Sequence, residues 1–424
     1  EEDGFGNFPN VSLRGADGGR SNKLTIMEDG VMMNPAPYSA PSAYYSPRIG
    51  RMSGVEILKG SSQVRFGRQT PGGVINYRCT PFVELPVSFA PESAPADAKN
   101  PGGKSGKSPV LPAAEPEITS HSEGFLKSTY GSFNTWYNHG WWGHAQKTDA
   151  GTVGFLVELF HNQSDGYRDI DKVGGDTGFT TIEPMVKLFW EPDTLLKQRF
   201  EFRFGYSYFD ADETYLGLHD ADLRADAFRR YVSTQFDNIR SDQYRYSLSH
   251  VIQPTDDVRI ETMAYYTSFQ RDWYKLDKAV DVDGNSIDLS RAIATRGLGY
   301  DILTGRAAGA WKIRSNNRDY HTLGIQSRLD WGFETGALEH DLTVGARLHH
   351  HKTSRFQRDD TARVNSAGSV LGVSRGRQGE AGNREENVLA FSMFAEDSVK
   401  LGRLTVKPGL RWEHMEMEYT DRFE

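Results

Sequence analysis

Among 424 residues there is a single cysteine, Cys79. One thiol closes no disulfide within the chain and supplies too few ligands for a zinc site. Next to a strand end it reads as an inert side chain. No run approaches ~18 consecutive apolar residues, so no transmembrane helix is expected. A membrane barrel stays open, because its strands show lipid a side chain only at every second position; the mean hydropathy of -0.60 is compatible with that. Positive charge is in short supply: the formal charge of -8 argues against nucleic acid as a partner. Gly-x-Ser-x-Gly, a phosphate loop and His-Glu-x-x-His are all missing, so no enzyme and no resident cofactor are expected. The opening residues EEDGFGNFPN carry neither the basic start nor the apolar core of a signal peptide, so the chain is expected to begin after processing or to be a fragment.

What is present is glycine, aromatics and alternation. Gly accounts for 43 residues and aromatics for 12% of the chain, a composition suited to strands and turns. Three regions separate by composition. Residues 1–80 mix short β-like pieces with glycines; residues 81–118 are rich in Pro, Ala, Gly and Ser and read as a linker or surface loop; residues 119–424 are dominated by period-two segments. In RFEFRFGYSYF, Phe200, Phe202, Phe204, Tyr206 and Tyr208 share one face while Glu201, Arg203, Gly205 and Ser207 share the other. The same pattern places strands near 122–130, 135–145, 152–162, 181–190, 198–209, 242–252, 257–271, 320–333, 338–352, 388–399 and 403–418. Their connections are short and long in alternation, with the long ones at 163–180, 210–241, 272–319 and 353–387. A meander with short turns at one end and long loops at the other is the layout of an outer-membrane barrel. The fold class expected is all-β dominated, an N-terminal α+β plug from residues 1–80 inside a large antiparallel transmembrane β-barrel. Arg203, Arg328, Asp330 and Lys407 are expected to face the lumen.

The stretch VEILKGSSQVRFGRQTPGGVINY, Val55–Tyr77, resembles the plug signature of TonB-dependent outer-membrane receptors. Upstream, the Leu-Arg-Gly, Glu-Asp-Gly and Ala-Pro-Tyr elements stand in the order expected for that plug. Downstream, SDGYRD, ETYLGLHDADLRADAFRRY, QPTDDVRIETMAYY and LTVKPGLRWEHME look like barrel segments of the ferric dicitrate receptor branch. The resemblance implies binding and import of a ferric chelate such as ferric dicitrate, with iron carried as cargo. It also implies placement in the outer-membrane lipid of a Gram-negative-type bacterium and energy from the TonB-ExbB-ExbD complex. Two departures stand out: the chain opens inside the plug, without the TonB-contact segment, and about eleven strands are counted where plugged transporters have about 22. The sequence therefore reads as a partial plug with about half of a barrel, expected not to insert stably by itself because lipid does not tolerate open strand edges. Alternatives are another siderophore, cobalamin or a glycan as cargo, a passive porin, or a soluble all-β enzyme or adhesin.

By analogy with the family, Gly72 and Gly73 turn a plug strand back and carry the loop Arg65–Thr70 toward the outer face. The candidate ligand-binding residues are Tyr38, Arg68, Gln69 and Thr70 in the plug loops and Arg229, Arg230 and Arg355 in the barrel loops, with Arg358 beside them. Arginine forks suit carboxylates. The competing reading has the plug residues packing against the barrel wall and the arginines solvated or salt-bridged. His349–His351 invites a metal, but neighbouring strand residues point to opposite faces, and an exposed strand end is the expectation. DVDGNSID, Asp281–Asp288, reads as a turn in place of a calcium loop. Trp141–Trp142 and Tyr265–Tyr266 read as interface girdle or lumen packing.

Overall fold

The computed structural model describes residues 7–8, 10–13, 15, 19–40, 42–67, 72–86, 118–212 and 214–422. Residues 87–117, most of the expected linker, lie outside the described residues, as do Arg68, Gln69 and Thr70.

Strands β1 (Leu24–Glu28), β2 (Val31–Met32), β3 (Met52–Leu58) and β4 (Gly73–Cys79) form one sheet in the order β2-β1-β4-β3. β1 and β4 run parallel and the outer pairs antiparallel. Parallel strands in mid-sheet are covered on both faces, and β1 is buried along its whole length. Gly73 takes a positive φ of 131°, and a Cβ there would meet the Leu58 carbonyl at 3.0 Å, so the strand return does require glycine at this position. Gly72 differs from expectation: it is not among the positive-φ residues, and its N–H is donated to the Lys23 carbonyl.

The second sheet is the barrel wall. It contains β5 (Ser120–Gly131), β6 (Thr135–Thr148), β7 (Gly151–Ser164), β9 (Phe179–Glu191), β10 (Lys197–Ala211), β12 (Asn238–Thr255) and β13 (Val258–Val280). It continues with β15 (Gly309–Ser315) and β16 (Arg318–Thr335) sharing one position, then β17 (Leu338–Val364), β19 (Gly382–Leu401), and finally β20 (Leu404–Val406) with β21 (Gly409–Asp421). Each position pairs antiparallel with the next, and β5 and β21 form the two ends of an open arc. All eleven strands expected from alternation are there. Short pieces decorate the loops: β8 (Asp169–Ile170), β11 (Arg229–Arg230), β14 (Ser286–Asp288) and β18 (Val370–Ser374), with helices α1 (Asp220–Ala225), α2 (Leu289–Thr295) and α3 (Leu298–Leu303).

Register explains the two faces. Phe202, Leu248, Ala264, Ile325, Leu348 and Phe391 stand directly opposite one another across six strands. The five larger of these are all exposed, and they form an apolar outer row suited to lipid. One residue along, Arg203, Tyr265, Gly324 and His349 point inward. Gly324 lacks the side chain that would collide with Tyr265, whose hydroxyl crosses it to reach His349 Nδ1 at 2.8 Å. His349 and His351 are fully buried at mid-strand, contrary to the expected exposed end; their facing nitrogens are 3.3 Å apart, and His351 Nε2 meets Ser39 Oγ at 3.1 Å.

The small sheet packs on this inner face. Leu24, Ile26, Met33, Tyr45 and Ile75 form one core with Met263, Tyr265, Phe269 and Tyr320 of the wall. Arg51 pins the two bodies together. It is 2% exposed and donates to Glu28 Oε2 at 2.8 Å, to Glu183 Oε2 of the wall at 2.5 Å and to the Tyr45 hydroxyl at 3.1 Å. Burial pushes the Glu28 carboxyl up; Arg51 first, then Arg245 and Arg203, outweigh it and hold the group at about 2.

Above the wall the long loops fold on one another. Val232, Ala292, Ile302, Leu303 and Trp311 share a core. β8 pairs with β11, and Lys172 Nζ donates to the carbonyls of Gly305 at 2.5 Å and Ala367 at 2.9 Å, tying three loops at one point.

Candidate functional site

Arg271 on β13 stands opposite Arg318 on β16, Arg318 opposite Arg355 on β17, and Arg355 opposite Arg384 on β19. Directly paired strand residues share a face. Arg271 is 1% exposed between the buried Phe269 and Trp273, so the row points into the lumen near the long-loop end. Four like charges side by side cost stability, and here they are poorly neutralised. Arg271 has no carboxylate partner among the described residues, its polar neighbours being the Tyr44 ring and the Tyr320 hydroxyl, and the Nε atoms of Arg318 and Arg355 have no hydrogen-bond partner there. Arg355 has a long contact to Glu386 at 3.5 Å and Arg384 one to Asp421 at 4.0 Å.

The plug supplies what compensation there is. Tyr44 lies under the row with the Arg271 guanidinium 3.8 Å, and that of Arg318 5.9 Å, from its ring centroid. Arg20, also from the plug, adds a third cation at this ring at 5.3 Å and donates to the Tyr44 hydroxyl at 2.8 Å. Burial pushes the Tyr44 hydroxyl up, but Arg271, Arg318 and Arg20 together hold it below its ordinary value. Nearby on the wall face, the buried Tyr320 hydroxyl faces Arg271, and Thr353 Oγ1 is buried without a hydrogen-bond partner among the described residues. Aligned guanidinium forks with hydroxyls beside them suit a compact polyanion rich in hard oxygen donors; Arg binds carboxylates in pairs of parallel hydrogen bonds.

Of the residues singled out from sequence, Arg355 belongs to this row. Tyr38 does not: it is 6% exposed, stacks on His351, and places its hydroxyl 3.1 Å from Glu413 and 3.2 Å from Arg347, so it packs the plug against the wall below the row. Arg229 makes a two-pronged contact to Asp171 at 2.6 and 3.2 Å in the loop canopy, and Arg230 donates to the carbonyls of Ala227 and Arg229. Arg358 bonds Asp360 and Gln378. The described start of the loop expected to rise outward turns to the lower wall instead: Arg65 pairs with Glu396 at 2.7 Å, five residues from the end of β19 at a short turn, and the Phe66 carbonyl accepts from Arg347. The physical reason is charge, since this part of the wall offers both a buried carboxylate and guanidinium donors. Asp281 caps its own turn by accepting from the N–H groups of Asp283 and Asn285, as a turn residue does. Among the described residues no group of three metal-ligating side chains occurs. Sequence reasoning missed Arg20, Tyr44, Arg271 and Arg318.

Comparison with known proteins follows the same division into sheet and arc. Residues 1–74 match the TonB-dependent Receptor Plug Domain, and residues 190–423 match the family described as TonB dependent receptor-like, beta-barrel. Among solved structures, the chain is similar to the ferric citrate transporter FecA in its unliganded form, with a TM-score of 0.67 at 18% identity over 98% of this chain and 51% of that one. The siderophore receptor PiuA from Acinetobacter baumannii gives 0.63 at 16% identity, over 100% and 54% of the two chains. The Ferric-Catecholate import receptor Fiu from E. coli K12, in its open form, gives 0.62 at 15%, over 98% and 56%. At these identities the likeness is one of fold. The chain spans about half the length of each of these structures.

Proposed function

The chain belongs to the TonB-dependent receptors, a family of receptors and not of enzymes, and from that premise we propose that it serves to bind an anionic ferric chelate, ferric citrate foremost, and to import it across the outer membrane. The observation that carries this reading is the row Arg271, Arg318 and Arg355 over Tyr44, which keeps cationic donors unsatisfied at the level where a ligand arriving from the long-loop side meets the plug. Citrate complexes of iron present free carboxylates on a compact anion, the chemistry that such forks accept. The outer row of apolar side chains supports placement in lipid, and coupling to the TonB-ExbB-ExbD complex follows from the family.

The test is calorimetric titration of the full-length receptor in detergent with ferric dicitrate, against iron-free citrate and a neutral ferric hydroxamate. Saturable heat with the ferric citrate alone is expected. Arg271→Gln and Arg355→Gln are each expected to weaken it about 10- to 100-fold, the worth of a charge-assisted hydrogen bond. Binding of the hydroxamate in place of citrate would keep the receptor and remove the cargo.

A further inference from the structure

Below the Tyr38 packing contact, plug and wall part again. Two adjoining cavities of about 300 and 500 Å³ lie between the plug sheet and strands β9 to β21, and they share Asp29, Arg78, Arg259, Glu261 and Met263. Their lining carries nine basic side chains against five acidic ones, so the space is cationic although the chain is anionic overall. The lower cavity reaches Arg199 and Arg259, which stand near the first residues of β10 and β13 at the short-turn end. The upper one reaches Arg347, eight residues before Arg355 on β17 and thus roughly 27 Å below the arginine row along the strand.

The partners of the upper arginines are telling. Arg347 is 7% exposed; it donates to the Tyr38 hydroxyl and the Phe66 carbonyl, both plug atoms, and its Nε has no partner among the described residues. Arg411 donates to the carbonyls of Val64 and Arg65, again plug atoms, and to the wall carboxylate Glu413 at 2.5 Å, which also lies 3.8 Å from Arg347; the Arg411 Nε is likewise unmet among the described residues. Withdrawal of the Tyr38 and Val64–Phe66 segments therefore strips these two guanidinium groups of their neutral plug acceptors and leaves them one carboxylate, Glu413, to share, with an excess of positive charge facing the crevice. We propose that the crevice between plug and wall is a second anion-binding station, which takes the ferric carboxylate chelate after it leaves the arginine row and before it emerges at the short-turn end. The proposal rests on the reading of the cargo given above.

The experiment compares equilibrium binding and cellular uptake of iron-55 ferric dicitrate by the full-length receptor, in cells without another ferric citrate receptor. Arg347→Gln removes the charge next to the plug. The double variant Arg259→Gln/Arg328→Gln removes two charges that contact only the wall carboxylates Glu261 and Asp330. Both lie far from the row, so the Kd is expected to stay within about two-fold, and retained binding certifies the fold. Uptake is expected to fall about ten-fold or more, and Arg347→Lys, which keeps the charge, to recover most of it. Unchanged uptake with unchanged Kd overturns the proposal, and so does parallel loss of binding and uptake, because the crevice would then not be a separate station. An unaltered receptor that does not bind ferric citrate overturns the reading of function instead, and the proposal with it.

Discussion

At the scale of single residues, Arg271 sets stability against affinity. A guanidinium buried without a carboxylate partner, beside another cation, is a cost to the unliganded fold. Arg271→Gln should therefore raise the melting temperature of the ligand-free receptor while weakening ferric citrate; a structural arginine would lower both. Arg51 makes the opposite prediction. Arg51→Ala leaves Glu28 and Glu183 buried and facing one another, at a cost of about 3–5 kcal/mol, readable as a lower melting temperature and faster proteolysis between plug and wall. Legibility in the sequence differed residue by residue. Arg355 was visible as a basic residue of the segment read as a barrel loop after residue 352; β17 runs on to Val364 and places it within the strand. Arg318 was within reach, since the two-residue turn at Gly336–Ala337 fixes it opposite Arg355. Arg271 was not, because its register to Arg318 is set across the long connection 281–317, which folds back through helices and two short strands, β14 and β15, before β16 begins. Tyr44 belongs to a plug segment without periodicity, and only its packing reveals it.

At the scale of elements, the strands were legible because lipid on one side and a polar lumen on the other enforce alternation over ten or more residues. Loop interiors were not. The six-residue helices α1 and α3 are too short to show a period, and the core of Val232, Ile302 and Trp311 joins segments far apart in sequence. His349 and His351 were misjudged for a related reason: their burial depends on Ser39 arriving from the plug. The loop canopy has its own pH response. Burial pushes the Asp237 carboxyl up to about 7, against the N–H groups of Leu276 and Tyr215 and the charge of Lys275. With the folded value above the unfolded one, its stabilising contribution is complete below about pH 4 and is lost as the pH rises through about 7. Protection factors in residues 214–237, with the intrinsic pH dependence of exchange divided out, should thus fall between about pH 4 and 7, and Asp237→Asn should abolish that fall. Lys172→Met should raise exchange in three loops at once, since one ammonium serves Gly305 and Ala367 from a third segment.

For the whole molecule, a formal charge of -8 encloses a cationic bowl. Attraction to the bowl is exposed to solvent ions before the ligand is seated. Association of ferric citrate should slow several-fold between low salt and 0.5 M salt, with dissociation changing less, as stopped-flow fluorescence would register. The Glu28–Arg51–Glu183 contact responds to acid instead. Its carboxyl is held below the unfolded value, so the contribution is present above about pH 4.5 and disappears as pH falls through about 2. Plug and wall should stay joined in mild acid and separate only near pH 2, measurable by protease access to β4.

The order β2-β1-β4-β3, with its parallel central pair, has a mechanical consequence. A tug on the residues before β1, resisted by the connection that leaves β4, pulls these two strands lengthwise in opposite directions. All the pairs from Leu24–Gly73 to Glu28–Tyr77 then bear load together, in shear, while β2 and β3 carry little. Among the described residues no backbone ladder joins this sheet to the arc, and side chains such as Arg51 make the attachment. Under tension the seam between the two bodies is the fuse, and the sheet comes away whole before it unzips.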